Sequence, residues 1–156
     1  MTESTTHVAT LADLKDLTGQ TLGTSSWIEV PQLRIDQFAE ATEDRQWIHV
    51  DPERARQEGP FGGPIAHGYL ILSLVIPMWN EILTVDSVGM AINYGLNRVR
   101  FTQPVPAGSR VRLVAKLDAL EDLPKGGAQL TVGGTIEIEG TERPAVVFEA
   151  IYRFLD

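Results

Sequence analysis

The chain has no cysteine. That excludes disulfides, thiolate nucleophiles, iron–sulfur clusters and cysteine zinc sites together, and it is compatible with a reducing cytoplasm. Basic residues are scarce: 13 Lys and Arg stand against 21 Asp and Glu, a formal net charge of −8. Nucleic acid and anionic membranes are poor partners for such a chain. An anionic ligand would need a local basic patch. The first residues, MTESTTHVATLADLKDL, lack the basic start and apolar core of a signal peptide. The longest apolar run, Tyr69 to Met78, is too short to span a bilayer. Repeats, low-complexity tracts and linkers are also missing, so the 156 residues are read as one domain. Residues 1 to about 10 are expected to form a frayed polar tail in which His7 is inert.

What is present is ordinary in amount, 43% apolar and 22% charged residues, and organised in two halves. In the first half, Ile35, Phe38, Ala39 and Thr42 share one helical face, and that helix should stop between Thr42 and Asp44. Asp51, Pro52 and Glu53 start a second helix, with Asp as N-cap, Pro in the first turn and Glu at the positive dipole end. It should end at Gly59 and Pro60. After an irregular loop, the run YLILSLVIPMW is apolar nearly all round, which predicts a buried helix that Pro77 kinks or ends. The second half alternates with period two over Ser109–Leu117, Gln129–Glu139 and Ala145–Leu155, the mark of half-buried strands. Met90–Phe101 reads as a further long strand with a bulge at Gly95, and Thr24–Val30 as a short one. Helices early and antiparallel strands late predict an α+β fold, one long buried helix against a curved sheet.

Two stretches invite a functional reading. In ATEDRQWIHVD, Asp44 stands five places before His49. Soon after, GPFGGPIAHGYLILSL passes from a Gly/Pro loop into the apolar helix. Asp44 and His49 form an acid/base pair in one reading. In the other, Asp44 ends a helix and His49 is structural. His67 is a second acid/base residue or a support for its loop. Ser73 either touches a ligand or bonds its own helix backbone, and no Gly-x-Ser-x-Gly elbow marks it as a nucleophile. A metal site of His49, Asp51 and His67 is set aside because Asp51 is better explained as an N-cap.

The run FAEATEDRQWIHVDPERA, followed by GPIAHGYLILSL and RFTQPVPAGSRVR in that order, resembles the MaoC-like, R-specific enoyl-CoA hydratases, in particular their short NodN-like branch. The resemblance runs from about residue 20 to the end. It implies a hotdog fold, an antiparallel sheet wrapped around a long central helix, in a homodimer or higher oligomer with active sites near the interface. The commonest signature has Gly before the Asp and Asn-Pro between Asp and His; here Glu43 and Gln46-Trp47 stand there. The implied activity is reversible addition of water to a trans-2-enoyl-CoA, giving an (R)-3-hydroxyacyl-CoA, with no metal and no cofactor beyond the substrate's own coenzyme A. An acyl-carrier-protein substrate stays open.

Under that resemblance Asp44 and His49 activate water, and the Gly68 N–H at a helix N-terminus holds the thioester oxygen. Gln46 replaces some of the hydrogen bonding of the usual Asn. Pro64, Ile65 and His67 build the hinge, Trp47 and Tyr69 border the acyl pocket, and Ser73 is a further contact. For the phosphates the candidates are Arg98 and Arg100, then Arg110, Arg112, Arg54 and Arg56, or all of these are ordinary solvated charges. Two rivals share the fold: an acyl-CoA thioesterase and a non-catalytic acyl-CoA-binding module.

Overall fold

The computed structural model describes residues 2–156. Two helices of the first half begin at side-chain caps. Helix α1 (Leu11–Lys15) is opened by a capping box between Thr10 and Asp13. Helix α2 (Gln32–Thr42) buries Ile35 and Ala39, and it stops at Glu43, which takes the left-handed conformation at φ 63°. A single turn, α3 (Trp47–Val50), carries His49. Helix α4 (Pro52–Glu58) is capped by the Asp51 carboxylate, which accepts from the Arg54 N–H, with Pro52 in the first position. Gly59 ends it because a side chain there would run into the Ala55 carbonyl.

The central helix comes in two pieces, α5 (Gly68–Ser73) and α6 (Val75–Ile82), joined at Leu74. Pro77 does not end it but interrupts it as expected, since a proline at 77 cannot donate to the Ser73 carbonyl and the break falls at Leu74. Pro77 therefore falls in the first turn of α6, where a missing N–H costs no bond within that piece. Leu70, Ile71, Val75, Met78, Trp79 and Ile82 are all buried.

The strands are β1 (Thr6–Val8), β2 (Thr21–Thr24), β3 (Ile28–Val30), β4 (Leu83–Val85), β5 (Met90–Phe101), β6 (Ser109–Asp122), β7 (Ala128–Ile138) and β8 (Val146–Leu155). The main sheet is antiparallel in the order β2-β6-β7-β8-β5, with β3 also on β6. Strand β7 alternates strictly between buried and half-buried residues. Its inward residues Leu130, Val132 and Ile136 join the core with the central helix. A sheet curved around one buried helix is the hotdog arrangement. The bulge near Gly95 is present, as a register shift between Asn93 and Gly95 against β8. Strand β5 pairs only with β8 and is exposed along nearly its whole length.

Two expectations are corrected. The described part of the expected tail is paired: β1 pairs in parallel with β4, Ser4 exchanges backbone bonds with Thr24, and His7 lies 2.7 Å from the Asp86 carboxylate, while Met1 lies outside the described residues. The partners are far away in sequence, so no local pattern announced them. Thr24–Val30 is not one strand either. At Ser25 the chain leaves the ladder, although Ser25 still pairs with β6: its N–H donates to the Leu113 carbonyl and its Oγ accepts from the Leu113 N–H.

Gly134 faces Phe148 so closely that an added Cβ would lie 2.0 Å from the ring. Since Phe148 is only 4% exposed, the ring has little room to yield. Gly134→Ala should therefore destabilise by about 1–3 kcal/mol. Urea unfolding should show this, and Phe148→Leu in the same chain should recover part of the loss.

Candidate active site

The Gly/Pro hinge holds the site together through its backbone. The Ile65 N–H donates to the Ile48 carbonyl at 3.1 Å, and the Ala66 N–H to the Val105 carbonyl at 2.8 Å. The Ala107 N–H donates to the Pro64 carbonyl at 2.9 Å. The hinge thus fastens the His49 turn on one side and the β5–β6 turn on the other.

His49 is 7% exposed. Its Nδ1 lies 2.7 Å from the Ile65 carbonyl. A carbonyl only accepts, so Nδ1 carries the hydrogen, and Nε2 of the neutral ring keeps a lone pair. Burial is the main cause that pulls His49 below its ordinary value of 6.5; the Ile65 carbonyl opposes it, His67 lowers it further and Asp44 raises it. The ring is therefore poised as a base at neutral pH. Asp44 follows α2 and is exposed. Its carboxylate, a ring nitrogen of His49 and one of His67 lie within 4.8 Å of one another. That separation suits a single water bridging Asp44 and His49.

These groups line a cavity of about 260 Å³ with Gly68, Tyr69 and Phe101. A second cavity, about 270 Å³ and mostly apolar, meets it at His49, Gly68 and Phe101 and is walled by Ile71, Val105 and Val146. Gly68 opens α5, and its N–H makes no hydrogen bond among the described residues. A Cβ at Gly68 would lie 3.0 Å from the Phe101 ring, so glycine here also makes room for that ring.

The donors of Asp44, His49 and His67 are near enough to raise the question of a metal. The two imidazoles, however, stack with centroids 3.9 Å apart and planes 25° apart. Each ring also gives one nitrogen to a backbone carbonyl, His49 to Ile65 and His67 to Asp44. Asp51, the carboxylate considered from the sequence, caps α4 instead.

A family model described as the MaoC like domain matches residues 13–135. The chain belongs to the MaoC-like dehydratase family. These enzymes are hydro-lyases. The 3-hydroxyacyl-thioester dehydratase Z of Mycobacterium tuberculosis (strain ATCC 25618 / H37Rv) is 50% identical over 145 residues, covering 93% of this chain and 95% of that one. Nodulation protein N of Rhizobium leguminosarum bv. viciae is 48% identical over 143 residues, 90% of this chain and 88% of its own. Among solved structures, the (R)-hydratase from A. caviae involved in PHA biosynthesis superposes with a TM-score of 0.72 at 28% identity, over 89% of this chain and 96% of that chain.

Measured against the residues singled out in the sequence, this MaoC-like site gathers Asp44, His49, His67, Gly68 and Tyr69 around one cavity, with Ile65 orienting His49 and Pro64 in the hinge. Other candidates lie elsewhere. Gln46 and Trp47 are not among the cavity residues; Arg54 covers the Trp47 ring at 4.5 Å. The Ser73 hydroxyl donates to the Tyr69 carbonyl of its own helix, the bland reading, and Ser73 lines a separate cleft beside Leu96 and Tyr152. Arg110 and Arg112 pair with Glu139 and Glu137, Arg112 also stacks on Trp27, and Arg54 pairs with Glu58. Arg98 and Arg100 make no ion pair among the described residues. Phe101 packs towards Gly68 and Val99 packs on the core, so alternation along β5 turns the two arginines to the other face.

Two contributors escaped the sequence reading. Gln32 donates from Nε2 to the His49 carbonyl at 2.7 Å across seventeen residues. Phe101 roofs Gly68. Gln32 carries no sequence signal. Phe101 does stand in the RFTQPVP segment, but nothing there points it at the helix.

The lowered pKa of His49 ties folding to pH. The unfolded chain binds a proton near 6.5 that the folded site resists, so this contribution is present above 6.5 and is lost as pH falls through the lower folded value. Urea midpoints of the wild type should decline from pH 7.5 towards pH 5, and His49→Gln should flatten that decline.

Proposed function

We propose that the chain catalyses reversible hydration of a trans-2-enoyl thioester to an (R)-3-hydroxyacyl thioester, with coenzyme A or an acyl carrier protein as the thiol. The observation that carries this reading is the locked tautomer of His49. Its Nδ1–H is held by the Ile65 carbonyl, which leaves Nε2 free beside Asp44 in a cavity headed by the Gly68 N–H. In the hydration direction, water held between Asp44 and His49 gives up a proton to that pair as its oxygen bonds to C3. The C2–C3 π electrons move onto the thioester oxygen, where the Gly68 N–H stabilises the enolate. The proton then passes to C2, and dehydration is the reverse. The (R) stereochemistry rests on the family alone. The apolar cavity behind Gly68 suits an acyl chain. Arg98 and Arg100, free of carboxylate partners and one to three residues from Phe101, are the candidates for the thiol carrier's phosphate. A cytoplasmic setting, where acyl thioesters are made and used, suits the cysteine-free chain.

The test is loss of enone absorbance with crotonyl-CoA. Wild type should turn it over, and Asp44→Asn and His49→Gln, each confirmed as folded, should lose on the order of 10²-fold or more in kcat. Free thiol released from saturated acyl-CoA would instead make the chain a thioesterase. Tight acyl-CoA binding without either reaction, across longer and branched enoyl chains, would make it a binding module.

We also propose that the working unit is a homodimer built through β5. This strand has one free edge and exposes Met90, Ile92, Tyr94 and Leu96, a combination that invites pairing with another strand. Wild type should run as a dimer in light scattering, and Leu96→Glu should shift it towards monomer.

A further inference from the structure

His67 has no step in the chemistry above, yet the site is built around it. It is 2% exposed and stands at the N-cap of α5, a place where Ser, Thr, Asp or Asn usually bonds the first turn. Its side chain makes no such bond. Instead Nε2 reaches 2.9 Å to the backbone carbonyl of Asp44 across twenty-three residues. The ring is sandwiched between Phe38, at 4.9 Å, and His49, at 3.9 Å. Its Nδ1 is buried with no hydrogen-bond partner. An orphaned buried nitrogen is a cost that an Asn or Ser cap would avoid, and such a cost points to a task other than capping.

We propose that His67 is a positioning residue for the Asp44–His49 pair: its Nε2–H ties the exposed Asp44 loop to the head of the thioester-holding helix, and its ring backs the His49 imidazole. The catalytic consequence rests on the hydratase reading; the geometric part does not.

The hydrogen bonds assign the two rings opposite tautomers. His49 bonds a carbonyl through Nδ1 and keeps its lone pair on Nε2. His67 bonds a carbonyl through Nε2 and keeps its lone pair on Nδ1. Backbone carbonyls impose both choices, so neither ring can flip without losing its bond. Asp44 would otherwise be a surface carboxylate on a loop entered through the left-handed Glu43. The His67 bond to its carbonyl gives that loop an anchor on the same residue that precedes Gly68. One residue thus sets the spacing between the water-holding pair and the thioester donor, where misplacement by about 1 Å is costly to rate. The titratable groups facing the His49 ring are Asp44, from the loop after α2, and His67; Asp36 of α2 approaches only its backbone side, through Gln32. The stacked His67 ring excludes water from one face of His49 and, by its charge when protonated, disfavours the imidazolium, in the direction of the His49 shift.

Two variants separate the two tasks. His67→Gln retains an N–H that can reach the Asp44 carbonyl and removes the ring. His67→Phe retains a ring against His49 and removes the donor. The chain has three histidines, so nitrogen-15 NMR of histidine-labelled protein resolves each imidazole. In the wild type, His49 should appear as the Nδ1–H tautomer and His67 as the Nε2–H tautomer. His67→Gln should raise the His49 titration midpoint. His67→Phe also removes the His67 charge and should raise the midpoint too, and it should lower kcat about tenfold or more, with a smaller change in KM. The same tautomer on both wild-type rings, a His49 midpoint unmoved in folded His67→Gln, or wild-type kcat in folded His67→Phe would each overturn the proposal. Tautomers and midpoints need no turnover, so a chain inactive on every enoyl thioester would sink the hydratase reading while the NMR still judges His67. The wild-type tautomers decide even if a variant fails to fold.

Discussion

The hydrogen bond from His49 Nδ1 to the Ile65 carbonyl joins a one-turn helix to a Gly/Pro hinge sixteen residues away. Three things follow from it. The base nitrogen is selected, because the bonded one cannot accept a proton. The ring is held in a buried position, which lowers its pKa. The hinge that makes this bond also passes into α5, whose first N–H is the thioester donor in the proposed chemistry. Without the bond, acid/base chemistry and oxyanion stabilisation would sit on two independently moving segments.

The hinge can serve both neighbours because four of its backbone groups are paired. Ile65 and Ala66 donate to the His49 turn and the β5–β6 turn, while the carbonyls of Pro64 and Ile65 accept from Ala107 and His49. An irregular segment this close to the core would be costly if these groups were unpaired. The glycines nearby are there for space: Gly59 for the Ala55 carbonyl, Gly68 for the Phe101 ring.

Charge is distributed in keeping with an acidic chain whose proposed substrate is an anionic thioester. Two sheet arginines are spent on carboxylates, in the Arg110–Glu139 and Arg112–Glu137 pairs. They pair with carboxylates next to Trp27. Arg98 and Arg100, which make no ion pair among the described residues, lie on β5, the edge strand, beside the exposed apolar residues. The same strand therefore concentrates both the unpaired backbone edge and the uncommitted positive charge.

The sequence by itself determined the elements that depend on local chemistry. Period-two alternation marked β6, β7 and β8, Asp51 and Pro52 marked the start of α4, and an all-apolar run marked the central helix. Asp44, His49 and Gly68 were legible because their spacing and the segments around them match a family. Tertiary structure decided whatever depends on partners distant in the chain. It paired β1 with β4 where a frayed tail was expected, and it split one expected strand at Ser25. It left Trp47 and Ser73 outside the cavity lining. It also brought Gln32 and Phe101 to the site and stacked His67 on His49. A periodic pattern records which face of an element is buried; it does not record what that face will meet. That is settled only when the sheet closes around the helix and backbone groups twenty or more residues apart find each other.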